Sequence, residues 1–267
     1  MTPVATMDQL CEDLAAEHAD LERLVAGLDE DGLATPTPAE GWAVRDQLSH
    51  LAWFDEAAVT AAVDPDAFRA GLDEALADLD AYVERPVTEG RARSADDLLG
   101  WWREARTRLV AALRHVDPAV RVPWYGPAMS ATSFATARLM ETWAHGQDVA
   151  DALGATRTPS DRLHHVAHLG VRALPNSYLT RDLPVPAVPV RVKLTGPGGD
   201  PWVWGDEDAP DCVSGSALDF CLVVTQRRHV EDTVLRATGP VATEWLSIAQ
   251  AFAGGPTLTE RGRGLRS

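Results

Sequence analysis

At 267 residues, 45% of them hydrophobic, the chain is long enough for one large domain or two modest ones and can bury a sizeable core. Forty Asp and Glu against 24 Lys and Arg leave a formal net charge of −16, which repels phosphate backbones and anionic lipid. Nucleic-acid and membrane binding are therefore disfavoured as primary roles, and the same acidity suits solubility.

Cys11, Cys212 and Cys221 form an odd, sparse set without CxxC spacing, which argues against a disulfide framework or a thiolate zinc site. A reducing cytoplasm is the expected compartment. The segment Met1–Asp8 has neither a basic n-region nor an apolar h-region, and no apolar run nears the roughly 20 residues that span a bilayer. The expectation is a soluble chain not exported by a signal peptide.

In chain order, residues 7–30 carry helical spacing through Leu10, Leu14, Leu21, Leu24 and Leu28. Leu33 to Gly41 reads as a loop from its prolines and glycine. A second helix begins near Trp42 and runs to about Val63, with His50 inside it. Residues 66–83 form an amphipathic segment through Phe68, Leu72, Leu76, Leu79 and Val83, and Pro86 to Arg93 reads as a break. Ser94 with Asp97 resembles an N-cap and its acidic N3 partner, opening a third long helix. Residues 117–129 read as a loop. The fourth helix runs from about Ser130 to Leu153, with Gly154 as its C′ glycine. No strand pattern shows in this half, and a bundle of four main helices fits it.

After Thr158 the register changes. Residues 159–179 look helical and carry His164, His165 and His168. Val185 to Leu194 alternates and is valine-rich, so it reads as a strand; Gly196 to Asp200 is a turn, and Trp202 to Trp204 returns as a hairpin. Residues 215–228 read as a buried helix, although Phe220 to Thr225 also fits a strand. Val234 to Thr238 suggests a short strand, and Pro240 to Phe252 an amphipathic helix. The last fifteen residues are rich in Gly and Arg and read as frayed. The expected fold is α+β: a helical bundle over residues 1–157 and a smaller α+β domain over 158–267.

The chemistry concentrates in the fourth helix. Glu141 and His145 are four apart and project from one face. Asp148 follows on the same face, in a stripe otherwise made of Phe134, Ala137, Val149 and Ala152. A carboxylate and an imidazole are costly to bury there unless something binds them, and a divalent metal would do so. A third ligand must come from elsewhere, with His50 the candidate, a pairing that spacing alone does not derive. Two nitrogens and one carboxylate oxygen suit zinc first, then nickel, iron or manganese, and three protein ligands leave a position open, the pattern of a catalytic site. The bland alternative is a Glu and a His on a solvated helix face. His164 and His168 share the same spacing, but in a more polar segment that reads as a surface helix.

The run Gly41-Trp42-Ala43-Val44-Arg45-Asp46-Gln47-Leu48-Ser49-His50-Leu51 resembles the GWxVrDxxxHL element of the DinB-like superfamily, and more closely that of the mycothiol-dependent maleylpyruvate isomerase family. Glu141-Thr142-Trp143-Ala144-His145-Gly146-Gln147-Asp148 resembles the family's later ExWxHxxD element. The resemblance implies a DinB-like four-helix bundle with His50, Glu141 and His145 as metal ligands. Leu218 to Phe220, Val223 to His229 and Ala242 to Gly254 resemble a bacterial subfamily known as metal-binding, of unassigned substrate. In the isomerase an arginine of the C-terminal domain assists catalysis, and Arg227 and Arg228 are the nearest candidates here. Their bland reading is that of basic partners of a helix C-terminus, His229 included.

What the resemblance implies is an enzyme that uses a divalent metal and mycothiol, an isomerase or thiol transferase, on a small, anionic organic substrate in the cleft between the domains. A metal-bound thiol loses its proton readily and becomes a nucleophile near neutral pH. Asp148 is expected to orient His145 or to touch substrate. Trp42, Trp53, Trp124 and Tyr125 are candidate cleft walls, with plain core packing the favoured reading for Trp42 and Trp53. Alternatives are the same fold recruited to cyclisation or epimerisation, or a non-catalytic metal-binding protein. The expected partners are a small substrate and a low-molecular-weight thiol, with the chain a monomer or homodimer.

Overall fold

The structure is a computed structural model describing residues 5–77 and 79–252, with the side chains of 73–81 and 83 outside that description. The apolar spacing assigned to Leu76, Leu79 and Val83, and the fraying assigned to the last fifteen residues, lie outside the described residues. The chain divides into two compact units, Met1–Arg157 and Thr158–Ser267.

The first unit is built on four long helices: α1 (Met7–Val25), α3 (Val44–Val63), α6 (Ala95–His115) and α7 (Ala131–Ala152). Each start has a local cause. Thr6 and Gln9 make a reciprocal capping box on α1, and Ser94 and Ser130 accept from the N3 amides of α6 and α7. At α3 the capping side chain comes from N3: Asp46 accepts from the Ala43 amide at 2.8 Å. Leu48, Leu51, Leu98, Trp102 and Val149 meet in one core with residues of α1. Helix α7 buries residues on every side, Phe134, Leu139 and Trp143 among them, and α3 and α1 both pack on it. No helix among the described residues is long and apolar enough to cross a membrane.

Shorter pieces complete the unit: α2 (Glu30–Leu33), α4 (Pro65–Ala77) and α5 (Leu79–Arg91). The break expected from Pro86 is absent; α5 continues through it to Arg91. An interior proline costs about 3 kcal/mol in an isolated helix, so contacts with α3 must offset it. Arg91 donates to both oxygens of buried Asp46, at 3.0 and 2.9 Å, and Val87 is buried. Gly90 lies so near α3 that a Cβ on it would sit 2.3 Å from that of Ser49. Strands also occur where none was expected: β1 (Arg121–Val122) pairs antiparallel with β2 (Met129–Ser130).

The second unit begins with α8 (Leu163–Arg172) and α9 (Leu174–Leu179), two helices where one was expected. Its sheet has the order β4-β3-β5-β6, with β3 (Val190–Thr195), β4 (Pro201–Trp204), β5 (Asp211–Ser216) and β6 (Arg236–Thr238). The β3–β4 hairpin is present as expected, but β3 begins at Val190 rather than Val185. Strand β5, parallel to β3, had no counterpart in the sequence reading. Residues Ala217–Val224 form α10, so Phe220 to Val224 is helix and not strand. A 3₁₀ turn at Val230–Asp232 precedes β6, and α11 (Pro240–Ile248) closes the described chain, its Ala242 amide held by Asp211 at 2.8 Å.

Candidate metal centre

Helix α3 carries His50 in its second turn, and α7 carries Glu141 and His145 one turn apart. The packing of α3 on α7 brings the three together: one ligand atom from each lies within 4.8 Å of the others. Among the described residues this is the one group of three or more His, Cys, Asp or Glu side chains close enough to share an ion. The imidazoles of His50 and His145 are 4.4 Å apart between centroids. His145 Nε2 and Glu141 Oε2 face each other at 3.2 Å.

Burial pushes the Glu141 carboxyl up, but the hydrogen bond to His145 and the charges of His145, Arg138 and His50 outweigh it and hold the group at about 2. Glu141 is therefore anionic at neutral pH. Two imidazoles and one anionic carboxylate, partly buried and converging on one point, fit a borderline divalent ion with an open coordination position.

Aromatic rings flank the cluster. Trp42 lies 5.3 Å from the His50 ring and stacks on His145 at 6.1 Å, 18° from parallel, so it borders the site instead of packing in the core. Phe54, one turn beyond His50, lies 4.6 Å from it and leads on to Tyr125 and Trp124 at 5.6 and 6.3 Å. Trp53 faces Tyr82 and packs on the core, as expected.

Beneath the site runs a buried polar network. Arg138 donates to Asp55 Oδ1 from Nε at 3.1 Å and Nη2 at 2.7 Å, and both residues are buried. His18 Nε2 lies 3.9 Å from Asp55 Oδ2 and 3.4 Å from Thr142 Oγ1. Charged residues so deep in a bundle are not visible in a helical pattern that treats Asp, Arg and His as outward-facing.

The contact to the second ring nitrogen of His145, one of two expectations for Asp148, is made by another residue. His145 Nδ1 meets Gln47 Oε1 at 2.5 Å, while Asp148 is buried at 1% exposure on α7. The sequence signal for Gln47 is a polar residue at i−3 to His50 on the same helical stripe. Arg227 and Arg228 follow α10. The chain leaves that helix with Gln226 at φ 59°, and the Arg227 and Arg228 amides both donate to the Leu222 carbonyl, at 2.8 and 3.2 Å. Arg227 Nη1 donates to the Thr225 carbonyl at 2.7 Å and Arg228 Nη1 to that of Arg227 at 2.8 Å. These contacts are those of basic partners at a helix C-terminus.

Among the described residues, the remaining histidines join no other group of three or more possible ligands. The His164 ring lies 5.0 Å from Trp202 and 5.1 Å from Trp204, and Trp204 Nε1 donates to His168 Nδ1 at 3.2 Å. Their segment packs on the tryptophans of β4 and is not a purely polar surface helix. His229 accepts from the Glu231 amide at 3.3 Å.

Comparison with known proteins places these features. The family model of the mycothiol maleylpyruvate isomerase N-terminal domain matches residues 14–150, and a model named for wyosine base formation matches residues 186–238. An uncharacterised protein of Mycobacterium tuberculosis, found in two strains, is 49% identical over 244 residues, covering 91% of this chain and 95% of the relative. The crystal structure of the mycothiol-dependent maleylpyruvate isomerase is similar in fold, with a TM-score of 0.60 over 89% of this chain and 95% of that one, at 16% identity. A histidine-to-alanine mutant of that enzyme matches equally.

Proposed function

The chain belongs to the mycothiol maleylpyruvate isomerase family, and from that premise we propose that it is a metal-dependent enzyme of the isomerase or thiol-transferase type. In this reading His50, Glu141 and His145 hold one divalent ion, zinc before nickel, iron or manganese, and the ion lowers the pKa of a low-molecular-weight thiol, mycothiol first among the candidates. The observation that carries the reading is the convergence of two imidazoles and one anionic carboxylate from two helices on a single point.

The donor set has a consequence for the thiol. Two neutral imidazoles and one carboxylate leave a divalent centre with a residual positive charge, which favours an anionic fourth partner such as a thiolate. The rings of Trp42 and Phe54 flank the two histidines. Glu141 holds its negative charge through the acid range, so the site does not lose its anionic ligand near neutral pH. In this reading Asp148 belongs to the catalytic group with Arg227 and Arg228, the two arginines being the cations offered to an anionic substrate. The protein acts in the cytoplasm on a small organic molecule.

The test is elemental analysis and thermal melting of the purified protein. About one divalent ion per chain, lost in His50→Ala and Glu141→Ala with the fold retained by circular dichroism, is the expected result. A further rise in melting temperature with mycothiol, seen only in the metal-loaded protein, supports the thiol. Metal-free protein that cannot be loaded with zinc would sink the reading and favour a metal-free recruitment of the fold to cyclisation or epimerisation.

A further inference from the structure

We infer that Arg157 is a positioning residue: it ties the Trp143 carbonyl of α7 to Glu17 of α1, and so holds the turn that carries Glu141 and His145 in place opposite His50. The consequence for metal affinity rests on the metal reading above; the placement of the turn does not.

The tether comes from the chain that has just left α7. Gly154 follows that helix at φ 62°, and the Ala155 amide donates back to the Ala150 carbonyl at 2.8 Å, which reverses the chain. Arg157 then lies beside an earlier turn of the same helix. Its Nη1 donates to the Trp143 carbonyl at 2.8 Å, and its Nη2 donates to Glu17 Oε1. The guanidinium also sits 5.8 Å from the centre of the Trp143 ring. A Cβ on Gly146 would meet Arg157 Nη1 at 3.4 Å and Cζ at 3.6 Å, so the group lies directly against the helix.

These contacts fall on the back of the ligand turn. Trp143 stands midway between Glu141 and His145, and Gly146 follows His145. Each residue advances a helix by about 100°, so Trp143 and Gly146 face away from the stripe that Glu141 and His145 share. Helix α1 packs on α7, and so does α3, which bears His50. Arg157 thus pins the back of the turn to α1 while its front meets α3.

The site is sensitive to that placement. Zinc holds nitrogen and oxygen ligands at about 2.0–2.2 Å, which in a tetrahedron sets them roughly 3.3–3.6 Å apart. The three ligand atoms here lie within 4.8 Å of one another. A shift of α7 by about 1 Å therefore decides whether His50 can share an ion with the other two.

Stability is a poor reason for the pair. Glu17 is 1% exposed and the Arg157 side chain 12%. Packed apolar residues often replace a buried ion pair without loss, so its presence behind the ligand turn points to placement.

The test separates placement from stability. Arg157→Met takes this partner from Glu17 and should lower the urea midpoint; adding Glu17→Leu makes the pair apolar and should return most of the stability. Zinc affinity, measured by competition with a chelator, should fall about 10–100-fold in Arg157→Met. It should stay low in the double variant, because the tether to Trp143 is still missing. Metal-free protein gives a second readout. The Trp42 ring stacks on His145 at 6.1 Å, so its ring current reports movement of α7. The His145 Hε1 resonance, read by NMR at a pH where the ring is neutral, should shift in both variants. Zinc affinity that is unchanged in Arg157→Met, or that returns with stability in the double variant, overturns the inference, and so does an unmoved His145 resonance. Wild-type protein that binds no zinc overturns the metal reading, and a shifted His145 resonance in both variants then still supports the placement.

Discussion

Glu141 and His145, one turn apart on α7, bring a carboxylate oxygen and a ring nitrogen to 3.2 Å, where each can serve as an electron-pair donor to one cation. The carboxyl is held at about 2 against an ordinary 4.5, despite burial, by His145, Arg138 and His50. A depressed carboxyl contributes stability above its unfolded pKa and loses it as pH falls to the folded one. Metal-free wild type should therefore lose stability between pH 4.5 and about 2 more steeply than Glu141→Gln, read by urea unfolding across that range. The same variant removes the one anionic ligand, so its zinc affinity should drop by more than the roughly 10–100-fold expected of an outer partner. Superimposable acid limbs would contradict the assignment of Glu141 as a paired, ionised group.

His18 carries a second, separate pH dependence. Burial first, then the charges of Arg106 and Arg138, push its imidazole down to about 3 from 6.5. Between those values the unfolded chain binds a proton that the folded chain refuses, so stability is complete above pH 6.5 and declines as pH falls below it. One such group gives a slope of at most about 1.4 kcal/mol per pH unit. Urea midpoints measured on either side of pH 6.5 should show this decline in the wild type and a shallower one in His18→Gln. Equal slopes would mean that His18 protonates in the folded protein.

Asp55 and Arg138 form a pair in which neither partner reaches water. Burial pushes the Asp55 carboxyl up, against the pull of Arg138. Removing one partner leaves an uncompensated buried charge, so Asp55→Ala should cost about 3–5 kcal/mol, and replacing both with apolar residues of similar volume should cost much less. A double-mutant cycle with Asp55→Leu and Arg138→Met, followed by urea denaturation, measures the coupling. Additive effects would show that the pair adds nothing beyond its two side chains.

The four long helices were legible because their signals are local: apolar spacing, Ser94 and Ser130 at N-caps, and Gly154 at φ 62° after α7. Glu141 and His145 could be read as a pair because both lie on one helix. Their meeting with His50 is a long-range packing event, for which the family motifs stood in. Features that depend on tertiary contact escaped. Strand β5, Asp211–Ser216, has only Cys212 and Val213 as apolar residues, and it is a strand because β3 and β6 pair with it on both sides. The buried Asp55, Arg138 and His18 look like outward-facing residues until their partners are known. Gln47 looks like a surface glutamine until Thr37 and His145 are seen at its two ends.

Pro86 is the clearest case of local preference overridden, and the contact responsible can be tested at Gly90. A Cβ there would lie 2.3 Å from Ser49 Cβ and 2.5 Å from its Oγ, far inside van der Waals contact. Ser49 is fully buried, and its hydroxyl donates to the Asp46 carbonyl at 3.1 Å, so it has little room to yield. In an open helix Gly→Ala would stabilise by roughly 1 kcal/mol. Here overpacking should reverse the sign and cost about 1–3 kcal/mol. Because Ser49 precedes His50, the displaced turn should also weaken zinc binding. Adding Ser49→Gly to Gly90→Ala relieves the clash and should recover the zinc affinity, although part of the stability stays lost to the extra helical glycine. Urea denaturation and zinc competition on the single and double variants decide the matter. If Gly90→Ala matches or exceeds wild-type stability, the close approach of α5 to α3 is not what carries that helix through its proline.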